Sequence, residues 1–232
     1  MTDTSKKTTA NDPQANSRLP RGMVALALAF LLVDFLLLQL PIYVPRLSIS
    51  GTHWNWSGKI FSIVFSCAVL ACSPWLRQNV GLRLRQSPGS LYFSLGCFLL
   101  CAGVGIAFGF IESPAAFSRE TLLFQTLMPA LDEELAIRGI ALALMERAYG
   151  GDPMGCRLRY GRAALVTSLL FGLGHSVTSI GGHFTVLPIP FISTFGFASI
   201  AALVRTRSGS LVWPTLCHSA WDGLLFFVSM IR

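Results

Sequence analysis

Three short segments hold side chains that can move protons in a chain that otherwise carries few. Residues 129–139, PALDEELAIRG, contain Asp132, Glu133, Glu134 and Arg138; FGLGH places His175 four residues after Phe171; HSAWD places His218 four residues before Asp222. A glutamate near a histidine can take a proton from water, and a second histidine can donate a hydrogen bond to the oxyanion formed when that water attacks a carbonyl. The inventory suits hydrolysis of an amide and requires no serine or cysteine nucleophile. The same groups could instead line a substrate or ion path. One histidine on an apolar helix is more often a packing residue. Two, with two glutamates and an aspartate on three separate segments, are harder to assign that way.

The elements that must position these groups are apolar. The chain has 232 residues, 53% hydrophobic and only 12% charged, about half the charge of an ordinary soluble domain. Apolar stretches recur, each long enough as a helix to cross a hydrocarbon core of roughly 30 Å. The expected fold is an all-α, polytopic membrane helix bundle of about seven transmembrane helices, over residues 22–44, 58–76, 89–111, 121–148, 162–180, 184–204 and 210–231. Residues 1–20 are polar and aperiodic, and are expected to form a flexible cytoplasmic tail; residues 21–232 form one transmembrane domain, with no soluble stretch long enough for a second core. The first apolar run is too long for a cleaved signal segment and lacks a small-residue cleavage site.

The net charge of +7 reads as topology rather than nucleic-acid binding, because the cations are scattered between apolar spans. With the N-terminus in the cytoplasm, the inner segments hold Lys6, Lys7, Arg18, Arg21, Arg77, Arg83, Arg85, Arg147, Arg157, Arg159, Arg162, Arg205 and Arg207. The outer ones hold only Arg46, Lys59, Arg119 and Arg232. This bias supports the number of spans and their direction, and the expected location is the cell membrane, plasma or inner, as a multi-pass protein. The six cysteines, 67, 72, 97, 101, 156 and 217, read as small core residues rather than a metal or disulfide framework. Gly105 and Gly109, with Gly103 nearby, suggest close helix packing.

Charge in the fourth span is costly, about 2.5–3.5 kcal/mol for each ionised group at mid-bilayer. Glu134 and Arg138, one turn apart, can pair on one helix face, either as a purely structural ion pair or as part of a site. Glu133 is a quarter-turn away, and Asp132 is left to face another helix or water. Pro129 frees the carbonyl of Gln125, so a local kink is expected. Counted at 1.5 Å per residue, Glu133, His175, His218 and Asp222 all fall roughly 12–23 Å from the cytoplasmic boundary. Groups from three spans share one layer and can converge.

EELAIR, FGLGH and HSAWD together resemble the EExxxR, FxxxH and HxxxN/D motifs of the CAAX prenyl endopeptidase and bacteriocin-processing (CPBP, Abi, Rce1-like) family of intramembrane proteases. The resemblance covers about residues 119–231, the expected protease core. It implies a helical membrane fold with a polar cavity open to the cytoplasm. Glu133 would act with His175 to activate water, His218 and Asp222 would form the oxyanion side, and Glu134, Arg138 and Phe171 would hold these groups in place. Asp222 departs from the asparagine of the CAAX proteases; an ionised aspartate cannot donate to an oxyanion, so it must be protonated, orient His218 or help hold a cation. Family members are often labelled metalloproteases, but no zinc-type spacing occurs here. No cofactor is expected; a divalent metal, if one takes part, would use Glu133, His175, His218 and Asp222.

The expected function is therefore an intramembrane endopeptidase that cleaves a membrane-associated, prenylated or otherwise processed protein or peptide with glutamate- and histidine-activated water. Its partners are that substrate and the lipid bilayer. The competing reading is a transporter or proton-coupled relay, for which no internal repeat is evident.

Overall fold

The structure is a computed structural model that describes residues 13–149, 160–180 and 183–232. It is mostly helical. The segments are α1 (Pro13–Tyr43), α2 (Trp56–Cys72), α3 (Pro74–Asn79), α4 (Leu91–Ile111), α5 (Arg119–Glu133), a π-helical segment (Glu134–Ala141), α6 (Leu142–Tyr149), α7 (Arg162–Ser176), α8 (Pro188–Ser208) and α9 (Val212–Ile231). Among the described residues, Arg21–Tyr43, Leu91–Ile111 and Pro188–Ser208 are long and apolar enough to cross a membrane, and Trp56–Cys72 is a shorter apolar helix. Lys6, Lys7, Cys156, Arg157 and Arg159 lie outside the described residues.

Several expected boundaries change. α1 begins at Pro13, so the second part of the expected tail is helical; proline is well suited to a first helical turn, and extending an existing helix costs little. The second span divides at Ser73, whose side chain accepts from Leu76 N and caps α3. The fifth span is shortened and the sixth displaced by four residues by a β-hairpin, β1 (Val177–Ile180) and β2 (His183–Val186), paired antiparallel with Val177 opposite Val186 and Ile180 opposite His183. The β-branched residues Val177, Thr178, Ile180, Thr185 and Val186 favour this local departure from the all-α expectation. Pro188 then opens α8, and Gly209, at φ +70°, closes it in the left-handed conformation.

Two apolar clusters hold the helices together. One joins α1, α2 and α3 to α6 and α7 through Ala27, Phe30, Leu70, Leu76, Met145 and Ala164; the other joins α4, α7, α8 and α9 through Cys101, Phe171, Phe197, Ala201 and Cys217. α4 lies against α9 at Gly105 and Gly109, where a Cβ would stand 2.5 Å from the Trp221 carbonyl oxygen and 2.7 Å from that of Leu225. Gly103 faces open space. Because α9 carries His218 and Asp222, this contact also sets the depth of those two groups. Gly105→Val is expected to lower the melting temperature in detergent by several degrees, overpacking costing about 1–3 kcal/mol. Gly103→Val should melt like the parent. Equal melting of both variants would show that the α4–α9 approach tolerates a side chain.

Candidate active site

The π-helical segment begins where the carboxylates lie. Its wider turn follows a helix whose Pro129 has no N–H to give the carbonyl of Gln125. Backbone angles stay helical across both joins, −69°/−35° at Glu134 and −61°/−44° at Leu142, so α5 to α6 is one unbroken rod with a local change of pitch. A local kink is the expectation here; the departure from a regular helix is the π-helical segment Glu134–Ala141. The change of pitch lies at the step where Glu133 and Glu134 part to serve two different neighbourhoods.

Glu134 faces inward. Its Oε1 lies 3.3 Å from Arg138 Nη1 and accepts from His218 Nδ1 at 2.8 Å. Both members of the Glu134–Arg138 pair are fully buried. The Arg138 guanidinium stacks 4.3 Å from the centroid of the Phe171 ring and 5.6 Å from that of Phe197, so two aromatic faces help to hold the cation away from water. Phe171 also packs against the His175 ring, and Phe197 against His218.

Glu133 faces the two histidines. His175 Nδ1 donates to the carbonyl of Phe171 at 2.9 Å, which leaves the Nε2 lone pair of the neutral ring directed away from the α7 backbone. That Nε2 is 3.7 Å from Glu133 Oε2, and His218 Nε2 is 3.9 Å from the same oxygen. Both spacings exceed a direct hydrogen bond. Glu133 Oε2 has no hydrogen-bond partner among the described residues. On its other side, His218 Nε2 stands 3.3 Å from Asp222 Oδ2.

A cavity of about 490 Å³ reaches this point between α1, the π segment and α7. Leu28, Leu31, Leu32 and Phe35 give it an apolar wall; Asp34, Asp132, Glu133 and His175 form its polar floor. The His175 side chain, 42% exposed, is the site's most accessible group.

Three participants escaped the sequence reading. Lys59, assigned there to an outer segment, is buried in α2, and its Nζ lies 2.8 Å from Asp132 Oδ2 and 2.7 Å from Glu133 Oε1. Asn55 caps α2 by accepting from Gly58 N, which draws Lys59 into the first helical turn instead of the preceding loop. Ser62, one turn further along, contacts both Asp34 and Asp132. Asp34 gave a signal that was readable: a carboxylate in the middle of the apolar run ALALAFLLVDFLLLQL. Lys59 gave a weaker one, as the sole cation inside the apolar second span.

Among the described residues no group of three or more His, Cys, Asp or Glu side chains has the arrangement of a metal site. The Lys59 ammonium already supplies positive charge at one Glu133 oxygen, and His218 Nδ1 is engaged by Glu134.

Glutamate and histidine side chains gathered beside a cavity among apolar helices are the equipment of an intramembrane hydrolase or of a proton path. Residues 116–224 match the family described as Type II CAAX prenyl endopeptidase Rce1-like. The family is one of CAAX-protease-type intramembrane endopeptidases, and protease activity is its general property. The matched segment contains Glu133, Glu134, Arg138, Phe171, His175, His218 and Asp222; Asp34, Lys59 and Ser62 precede it. No curated protein and no solved structure matches the chain.

Proposed function

We propose that this protein hydrolyses a peptide bond of a membrane-associated substrate, prenylated or otherwise processed, with water activated by Glu133 and His175. The observation that carries this reading is the position of Glu133 Oε2, buried, unpaired among the described residues and facing Nε2 of both His175 and His218. A water between Glu133 and His175 can donate one hydrogen to each. As its oxygen bonds to the scissile carbonyl carbon, one proton passes to the glutamate. That proton then reaches the amide nitrogen as the C–N bond breaks, giving a carboxylate and an amine.

His218 supplies charge stabilisation. Its Nδ1–H donates to Glu134, and in the imidazolium form its Nε2–H turns to the space between Asp222 and Glu133, where an oxyanion would form. Asp222 then orients His218 instead of donating to the oxyanion, which accounts for an aspartate at this position. Seven membrane crossings with a cytoplasmic N-terminus, as the charge bias favours, would open the site toward the inner face of the cell membrane.

The test compares the N-termini of membrane proteins from cells carrying the intact protein and cells carrying Glu133→Gln. Termini that vanish with the substitution identify the substrates. Identical sets of termini, together with a proton flux in liposomes that the same substitution removes, would instead make the site a proton relay.

A further inference from the structure

We infer that Lys59 is a positioning residue for the hydrolytic reaction: its ammonium, bridging Asp132 and Glu133, holds Glu133 with one oxygen turned to the two histidines. This rests on the peptidase reading above and adds to it a residue that lies outside the family-matched segment 116–224.

The geometry is that of a clamp. Lys59 is 7% exposed. An ammonium has three hydrogens, and two of them have carboxylate partners here, Asp132 Oδ2 at 2.8 Å and Glu133 Oε1 at 2.7 Å. A glutamate side chain alone samples several rotamers; with Oε1 tied to α2, Oε2 can only face α7 and α9. Asp132 is itself anchored, because its second oxygen meets Ser62, whose hydroxyl also meets Asp34 Oδ1 on α1. A hydroxyl carries one hydrogen, so these two contacts require one more on Asp34 or Asp132. The chain Asp34–Ser62–Asp132–Lys59–Glu133 thus links α1 and α2 to the helix that bears the base.

The clamp also settles charge. Adjacent carboxylates at 132 and 133 would repel each other in a low-dielectric interior, and one cation between them reduces that cost. Ion pairing alone would make Lys59 a structural residue. The placement of its second bond, on the oxygen of Glu133 opposite the one that faces the histidines, makes it a positioning residue as well. Displacing a reacting group by about 1 Å costs roughly a hundredfold in rate.

The experiment uses the full chain in detergent and an internally quenched peptide chosen from a library for cleavage by the parent protein. Lys59→Met can fail to fold, so Lys59→Met/Asp132→Asn, which also removes one of the stranded charges, is measured beside it, with Lys59→Arg as the conservative variant. The double variant is expected to stay folded, to lose kcat about a hundredfold and to keep KM, while Lys59→Arg recovers much of the rate. A folded double variant with parental kcat, a loss confined to KM, or a folded Lys59→Arg no faster than the methionine variants would each overturn the inference. Coupling is also read without substrate: in a double-mutant cycle of Lys59→Met with Glu133→Gln, the shifts in melting temperature should be non-additive, and additive shifts would overturn it. Glu133→Gln separates the two ideas. If it cleaves the peptide at the parental rate, the peptidase reading falls; if it is inactive while the folded Lys59 variants work normally, only the clamp falls.

Discussion

Glu133→Gln is expected to abolish cleavage while leaving the protein folded and inserted. The amide has the shape of the carboxylate, and its oxygen can still accept from Lys59 Nζ, which stands 2.7 Å from Glu133 Oε1. What it cannot do is take a proton from water. Loss of a general base costs on the order of 10²–10⁴ in rate, so residual turnover of the quenched peptide should fall below about one hundredth of the parental value. Glu133→Asp is a sharper probe of placement, because the carboxylate remains but withdraws by one methylene from His175 and His218. Glu133 Oε2 now stands 3.7 and 3.9 Å from the Nε2 atoms of His175 and His218, and displacing it by about 1 Å should cost roughly a hundredfold. A Glu133→Gln protein that cleaves like the parent would falsify the water-activation role.

Arg138→Met should produce the largest loss of stability of any single substitution at the site. The Arg138 and Glu134 side chains are each 1% exposed and 3.3 Å apart. Removing the arginine strands a carboxylate in an apolar interior, a situation that costs about 3–5 kcal/mol in buried pairs. For a chain of this length that corresponds to a fall in melting temperature of roughly 10 °C. The stacking of the guanidinium on Phe171 and Phe197 is lost as well. In Arg138→Met/Glu134→Gln no charge is stranded, and the amide oxygen can still accept from His218 Nδ1, so much of the loss should be recovered. Thermal unfolding in detergent decides the matter; a single variant that melts with the parent would mean that His218 and the aromatic rings hold Glu134 without help.

The two expectations separate neighbouring carboxylates by function. Glu133 sits at the floor of the cavity and is partly reachable; Glu134 is sealed behind it. The change in helical pitch beginning at Glu134 lies at that division. The Glu120 carboxylate holds the far end of α5 in a comparable way, accepting from His53 N, Trp54 N and Trp56 Nε1 and so tying the α1–α2 connection to the helix that carries the site.

The amino-acid sequence by itself determined the solvent and the inventory. Long apolar runs, Glu134 one turn from Arg138, and histidines on two further segments are matters of composition and of the 3.6-residue period, both local properties. Counting residues from the ends of apolar runs was enough to put the groups in one layer, because a helix converts sequence distance into depth. Only the tertiary structure decided which groups meet. Lys59 and Glu133 are 74 residues apart, and Asp132 and Ser62 70; such pairs depend on how α1 and α2 dock against α5, which no periodicity within one helix encodes. The same holds for the π-helical pitch over Glu134–Ala141, for which the only signal in the sequence was the missing N–H of Pro129. It holds also for the hairpin after His175, where strand pairing displaced the helix that hydropathy alone would extend.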